Sequence, residues 1–413
     1  MKSTVFLDRT TPPHIMTLVI VSGLAALNMN MFLPSLPSIA IAFSADYALV
    51  QLSVSGYLAF TGALQLVIGP LSDRYGRRPV LLGALVVFVA ATAFCLFAPT
   101  IELFLVGRMF QAGVVSAFVL SRAIVRDVVD TDKAASMIGY VTMGMSVVPM
   151  IGPAFGGFLD GLFGWQASFV TILVFGIATT VLVWADLGET NVNRSSSMLK
   201  QFGAYPDLMR SRRFWGYSLT ATFASGAFFS FLGGGPYVAS TILGMTPTAL
   251  GFYFFFIAFG YMVGNYLSGR YASRIGINRM MIHGNIIAAF GTLVILAFFL
   301  AGWQYPITFF GPIFLVGLGN GVTLPSANAG IVSVRPHLAG SASGLGGAMI
   351  IGGGAALAAA VGAMLSPETG AYPLILVMIG SSLIGILCAL YVEKVAREVA
   401  AAEATAPEKR GGE

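Results

Sequence analysis

Apolar residues in this chain come in runs of roughly 20, separated by short polar stretches, along nearly its whole length. A run of that length forms a helix that spans about 30 Å of hydrocarbon. Twelve are legible, at approximately 15–34, 49–70, 79–98, 103–124, 136–158, 166–187, 214–238, 249–268, 281–301, 306–330, 341–364 and 371–391. The pattern predicts an all-α membrane protein with twelve transmembrane helices. Residues 188–213 break the rhythm with Glu189, Asn191, Asn193, Arg194, Lys200, Pro206, Asp207 and three further arginines. They read as a polar linker between an N-terminal six-helix bundle, 1–187, and a C-terminal one, 214–395. Residues 396–413 read as a disordered tail.

The polar stretches carry a second pattern. Gly69-Pro-Leu-Ser-Asp-Arg-Tyr-Gly-Arg-Arg-Pro79 is echoed 200 positions later by Gly269-Arg-Tyr-Ala-Ser-Arg-Ile-Gly-Ile-Asn-Arg279, matching Gly69/Gly269, Arg74/Arg274 and Gly76/Gly276. A charged hairpin recurring at half the chain length points to an internal duplication, as in transporters built from repeats. Gly69 and Pro70 are expected to end the second helix, Gly76 to permit a tight turn, and Arg74, Arg77 and Arg78 to face anionic headgroups. Ser273 stands where the first copy has Asp73, so the second copy lacks the acid.

Charge fixes the expected orientation. If alternate loops are assigned to one side, 21 of the 22 Lys and Arg fall there and the opposite loops contain none. The positive-inside rule then puts both termini in the cytoplasm. The exception is Arg108, inside the fourth segment, where an arginine costs from about 2.5 to over 10 kcal/mol. It is expected either to face a central cavity, with Gln111 one turn on, or to snorkel to the outer surface.

Composition narrows the function classes. The chain is 57% hydrophobic and only 9% charged, against about 25% charged in soluble domains. Its basic excess follows topology and contact with lipid, not nucleic acid. Cys95 and Cys388 lie inside apolar segments and read as small buried hydrophobes. His14, His283 and His337 never cluster, no metal-ligand spacing occurs, and no phosphate loop is present. No metal, cofactor or covalent chemistry is implied. Uphill transport would have to use an ion gradient or an exchange partner.

Six elements together resemble the major facilitator superfamily over essentially residues 10–395, and most of all its drug:proton antiporter branch of bicyclomycin and chloramphenicol/florfenicol exporters. They are Phe32-Leu-Pro-Ser-Leu-Pro37, Gly69–Pro79, Arg108-Met-Phe-Gln111, Pro149-Met-Ile-Gly-Pro-Ala-Phe-Gly-Gly157, Gly164-Trp-Gln-Ala-Ser-Phe169 and Ala339-Gly-Ser-Ala-Ser343. The resemblance implies a monomeric exporter of small molecules in a bacterial inner membrane, run by proton antiport with alternating access. It implies that Asp73 locks the outward-facing state by pairing with an arginine on the fourth segment, Arg126 first and Arg122 second, near Ser341–Ser343. It implies that the fifth-segment run (Pro149, Gly152, Pro153, Gly156 and Gly157) marks antiporting exporters. Close relatives carry an acid where this chain has Asn30, and asparagine does not titrate. Asp127 and Asp160 are the remaining acids closest to the helices.

The cavity can be sketched from polar and aromatic residues inside the segments. Asn28, Asn30, Tyr57, Gln65, Arg108, Gln111, Phe231, Tyr253 and Asn320 are its expected lining. An aromatic, amide-lined cavity with one cation and no acid suits neutral or weakly polar amphipathic compounds. The alternative is an exporter or facilitator of an endogenous metabolite without proton coupling.

Overall fold

A computed structural model describes residues 5–128, 131–191, 205–335 and 338–405. Its helices are α1 (Ile15–Asn30), α2 (Leu36–Ala42), α3 (Tyr47–Tyr75), α4 (Arg77–Leu96), α5 (Ile101–Gln111), α6 (Val115–Val128), α7 (Thr131–Phe163) and α8 (Gln166–Asp186). They continue as α9 (Tyr205–Met209), α10 (Arg212–Tyr237), α11 (Pro247–Ile275), α12 (Ile277–Leu300), α13 (Pro306–Ser333), α14 (Ala339–Met364) and α15 (Tyr372–Thr405). Among the described residues, ten helical stretches are long and apolar enough to cross a membrane. The helix α7 adds the shorter apolar stretch Val148–Phe163. The 26-residue α10 is rich in Gly, Ser and Thr, and nearly all of it is buried. Polar hydroxyls can sit there because their own helix accepts them, as Thr220 does to Gly216 O and Thr222 to Ser218 O. Large apolar side chains such as Val86, Val174, Phe290 and Leu387 point outward, as lipid contact requires.

The first eight helices pack on one another, and α10 to α15 do the same. The two groups meet through α3 against α14 and α7 against α11, with the joint between α1 and α2 touching α10 and α11. Each group has an apolar core of its own. One holds Leu18, Leu81, Phe88 and Ile172, and the other Phe214, Tyr217, Met281 and Ile331. A third core runs across both groups and joins Phe32, Phe104 and Phe169 to Phe231, Phe254 and Phe310. It lies toward the loops that carry no Lys or Arg. There the molecule is closed.

Four local expectations are corrected. The first segment is not one helix: a 3-10 turn, Leu33–Ser35, separates α1 from α2 at Pro34. The fourth is interrupted in the same way at Ala112–Val114. Gly69 and Pro70 do not end the second helix, which runs on to Tyr75 with Pro70 inside it. The proline forfeits one backbone hydrogen bond, and neighbours on both sides hold the helix together. Residues 396–405, expected to be disordered, continue α15 to Thr405. They are rich in Ala and Glu, strong helix formers, and Arg397 pairs with Glu393 one turn back. Residues 192–204 of the expected linker and 406–413 of the tail lie outside the described residues.

Candidate functional site

The hairpin at Gly69–Pro79 is scarcely a loop. Helix α3 ends at Tyr75, α4 begins at Arg77, and Gly76 alone makes the reversal with φ of 105°. That left-handed backbone favours glycine, and Gly276 repeats it at 90° in the second copy. Gly69 has nothing within contact of where a side chain would begin. The arginines separate in role. Arg74 is exposed and lies over the Tyr75 ring, as a headgroup-facing residue would. Arg77 instead bridges Asp73 at 2.5 Å and Asp127 at 3.0 Å and donates to Ser72 Oγ at 2.6 Å. Arg78 donates to Leu187 O and Trp184 O, closing the last turn of α8. For these two, the structure shows carboxylate and carbonyl acceptors in place of the expected headgroup role.

Two residues that follow α8 complete this end. Glu189 Oε1 accepts from the Arg77 amide at 2.9 Å, at the positive end of α4. Asn191 Nδ2 donates to Asp73 O at 3.0 Å, at the negative end of α3. The side chain of Arg126, the expected partner of Asp73, lies outside the described residues. Across the gap, Gly340 and Gly344 at the start of α14 also have open space beside them.

Arg108 is fully buried, which rules out snorkelling in this arrangement. It sits inside the N-terminal group and not on an open cavity wall. Its Nη1 donates to Gln111 Oε1 at 2.5 Å and to Asn28 Oδ1 at 3.2 Å, and Nε donates to Ser53 O at 3.4 Å. Gln111 Nε2 passes the chain on to Thr92 Oγ1 at 2.7 Å. The guanidinium lies 4.0 Å from the Phe32 ring centre and 4.8 Å from that of Tyr57. Aromatic faces and amide oxygens thus solvate a cation that has no carboxylate partner among the described residues. Both 3-10 interruptions, at Leu33–Ser35 and Ala112–Val114, flank this cluster. Such breaks in membrane helices are tolerated where protein buries them, and they often mark moving parts.

The remaining expected cavity residues do not form one site with Arg108. Asn30 turns the other way and bonds Ala26 O at 2.8 Å. Phe231 is core, packed on Phe254, Phe309 and Phe310 at 5.4–6.2 Å. Tyr253, half-buried, stacks on Phe256 and leans on Phe310. Asn320 is held by Ala224 O at 3.1 Å inside the C-terminal group. Gln65, half-buried, faces Gly347 across the α3–α14 seam. The N-terminal polar cluster and the C-terminal aromatic one are linked through the apolar core that joins Phe32 and Phe169 to Phe231.

The glycine-rich run on α7 divides its work by face. Gly152 and Gly156 pack on α1, where a Cβ on Gly156 would run into the Met31 carbonyl. Gly157 and Gly161 pack on α11, against the Pro247 carbonyl and Thr248. Thr248 Oγ1 also donates to Gly157 O at 3.0 Å, a polar tie between the two groups. Pro149 and Pro153 lie inside α7, and Pro153 O abuts Gly251. Small residues let backbones approach this closely.

The sequence reading missed the matching seam on the other side. Gln51, fully buried on α3, donates from Nε2 to Ala358 O at 2.6 Å and presses on Gly233 and Gly362. Tyr47 OH donates to Gly233 O at 2.7 Å, its ring 5.0 Å from that of Tyr237. A lone glutamine near the start of an apolar segment, facing later glycines, was the available signal. Gln51→Ala removes the bond and leaves a void, costing the closed seam about 1–3 kcal/mol. The expected result is faster labelling of a cysteine placed at Ser240, with unchanged yield of folded protein; unchanged labelling would show that the seam does not depend on Gln51.

Comparison with known proteins gives consistent results. The chain matches the Major Facilitator Superfamily over residues 18–350 and again over 236–410. It is 31% identical to an uncharacterized MFS-type transporter of Bacillus subtilis (strain 168) over 88% of this chain and 91% of that one. It is 28% identical to a chloramphenicol resistance protein of Pseudomonas aeruginosa over 88% of this chain and 87% of that one. Its fold superposes with a TM-score of 0.73, at 18% identity, on a bacterial homolog of the human lysosomal transporter Spinster, covering 93% of this chain and 96% of that one.

Proposed function

The chain belongs to the major facilitator superfamily of membrane transporters, which are not enzymes, and from that premise we propose that it exports small amphipathic drugs by proton antiport. The cargo would be phenicol-like or bicyclomycin-like, taken from the cytoplasm of a bacterium across its inner membrane. Twelve crossings, two six-helix halves and cytoplasmic termini complete the reading. The chloramphenicol resistance protein among its relatives supports the cargo class. The run Pro149–Gly157 on α7, which the resemblance associates with antiporting exporters, supports export.

One observation carries the mechanism. The two halves meet tightly at the charge-poor end, through Gln51, Tyr47 and Gly157, whereas Gly69, Gly340 and Gly344 at the basic end have open space beside them. With the basic end in the cytoplasm, this contrast supports an inward-facing reading. Reversal of the two seams would expose the cargo to the outside. The Asp73–Arg77–Asp127 group would then close against the start of α14 as the inner gate. The acid-free surroundings of Arg108 fit cargo or positioning duties better than proton exchange there.

A second reading, a facilitator without proton coupling, is favoured by Asn30 in place of an acid. Reconstituted protein with a pH-sensitive dye inside the vesicles separates the two. Chloramphenicol movement should drive protons the opposite way and accelerate with an imposed pH gradient. Chloramphenicol flux indifferent to that gradient would remove antiport and leave facilitation.

A further inference from the structure

Among the described residues, two acids are buried, Asp160 and Asp186. Asp186 is occupied structurally, since its two oxygens accept from the Leu7 and His14 amides at 2.7 and 2.9 Å and hold the N-terminal arm. Asp160 has no comparable duty. It lies one turn beyond Gly156 and Gly157 on α7, at the charge-poor end, and is 8% exposed. Its Oδ2 accepts from Ser38 Oγ on α2 at 2.7 Å.

Its surroundings are unusual for a carboxylate. The nearby parts of α2 and its 3-10 turn, of α8 and of α11 (33–42, 164–171 and 247–254) contain no acid, lysine, arginine or histidine. Tyr253 is the one phenol there, and it stacks on Phe256. The helix α1 contains no charged residue. The charges of α6 (Arg122, Arg126, Asp127), of α7 itself (Asp132, Lys133), of α8 (Asp186) and of α11 (Arg270, Arg274) all sit toward the basic end. An ionised Asp160 therefore has the Ser38 hydroxyl, with that of Ser35 beside it, and no cation to balance it, whereas the neutral acid needs no balance.

Its position joins two contacts between the groups. The 3-10 turn before α2 touches α10 and α11, and the Gly157–Gly161 face of α7 closes on Pro247 and Thr248. The Ser38–Asp160 bond ties these two elements together at the closed end. Parting α7 from α11 would bring solvent to this carboxyl.

We propose that Asp160 is the proton-binding site of the outer seam: a proton taken from the external side neutralises it, and only then does the seam close over it. This deepens the antiport reading and rests on it. The proton comes from external water and forms an O–H bond on a carboxylate oxygen; no other bond changes. The site lies in α7, apart from Asn30, where close relatives carry their acid, and so would let a chain with asparagine there still respond to protons.

The test reads conformation, not transport. Leu162→Cys and Phe252→Cys, both exposed positions flanking the α7–α11 seam, are spin-labelled in protein whose Cys95 and Cys388 are alanine. Electron–electron resonance in nanodiscs then measures the distance between labels from pH 5 to 9. The distance should lengthen as pH rises in the parent, stay short at all pH in Asp160→Asn, and titrate with a moved midpoint in Asp160→Glu. An Asn variant that titrates like the parent, or a parent with no response to pH, overturns the proposal. The Glu variant guards against misfolding as the cause of a silent Asn variant. Chloramphenicol accumulation in cells is scored separately. A pH-responsive seam without export sinks the drug reading alone, while export with a pH-indifferent seam sinks this site alone.

Discussion

Gly157→Val and Gly156→Val, neighbours in sequence, should fail in different ways. On Gly156 a side chain meets the Met31 carbonyl within the N-terminal group, and neither backbone can yield without moving α1. Overpacking of that kind costs about 1–3 kcal/mol or more. The expected result is a lower melting temperature and a poor yield of folded protein. On Gly157 the obstacle is the Pro247 carbonyl, across the seam between the two groups. A valine there can be relieved by parting α7 from α11, which is a motion the transport cycle already needs. Gly157→Val should fold at near-normal yield, lose most of its export, and hold labels at Leu162 and Phe252 at the longer distance. Equal loss of yield in both variants would show that the two faces of α7 do not divide as described. The Gly251→Val change, from the other side of the same contact, should copy Gly157→Val, because its own Cβ would press on Pro153 O.

Arg108→Leu is expected to cut transport by about tenfold or more, equivalent to about 1.4 kcal/mol or more of lost stabilisation in the cycle. The substitution strands Asn28 Oδ1 and Gln111 Oε1 in a buried site, and each orphaned acceptor costs about 1–3 kcal/mol. Arg108→Lys should restore little. A lysine has one ammonium in place of a planar fork, and it cannot reach Asn28, Gln111 and Ser53 O together while lying over Phe32 and Tyr57. Melting temperature and chloramphenicol accumulation, measured on both variants, separate loss of fold from loss of function. A lysine variant with full transport would show that charge alone suffices and that the fork geometry is incidental.

Much of the architecture was legible because the bilayer imposes it. Apolar runs, basic loops and a repeated hairpin needed no tertiary information. The limits appear residue by residue. Asn28 and Asn30 are two positions apart on a helix whose apolar character is nearly uniform around its axis, so the sequence does not reveal which one points inward. Residues two apart never share a helix face, and the structure puts Asn28, not Asn30, on Arg108. Gly156 and Gly157 pose the same difficulty, since both read simply as small. Gln51 meets Ala358 across 307 positions, a pairing that no local pattern encodes. The Gly69–Pro79 hairpin was located correctly and its interior was misjudged. Its charges read as lipid anchors until Asp127, Glu189 and the end of α8 came within reach.

The partners of Arg108 also bear on how the protein is made. Asn28 on α1, Phe32 just after it, and Ser53 and Tyr57 on α3 all precede it in the chain, while Gln111 lies three residues on in the same segment. Phe169, on α8, follows it, with its ring centre 5.9 Å away. A nascent helix that carries an arginine partitions poorly into lipid. By the time this one leaves the ribosome, the amide, carbonyl and rings that will receive its charge are already in the membrane. Synthesis order then supplies what the isolated segment lacks, and the fourth helix can be inserted as a late component of a half-built bundle.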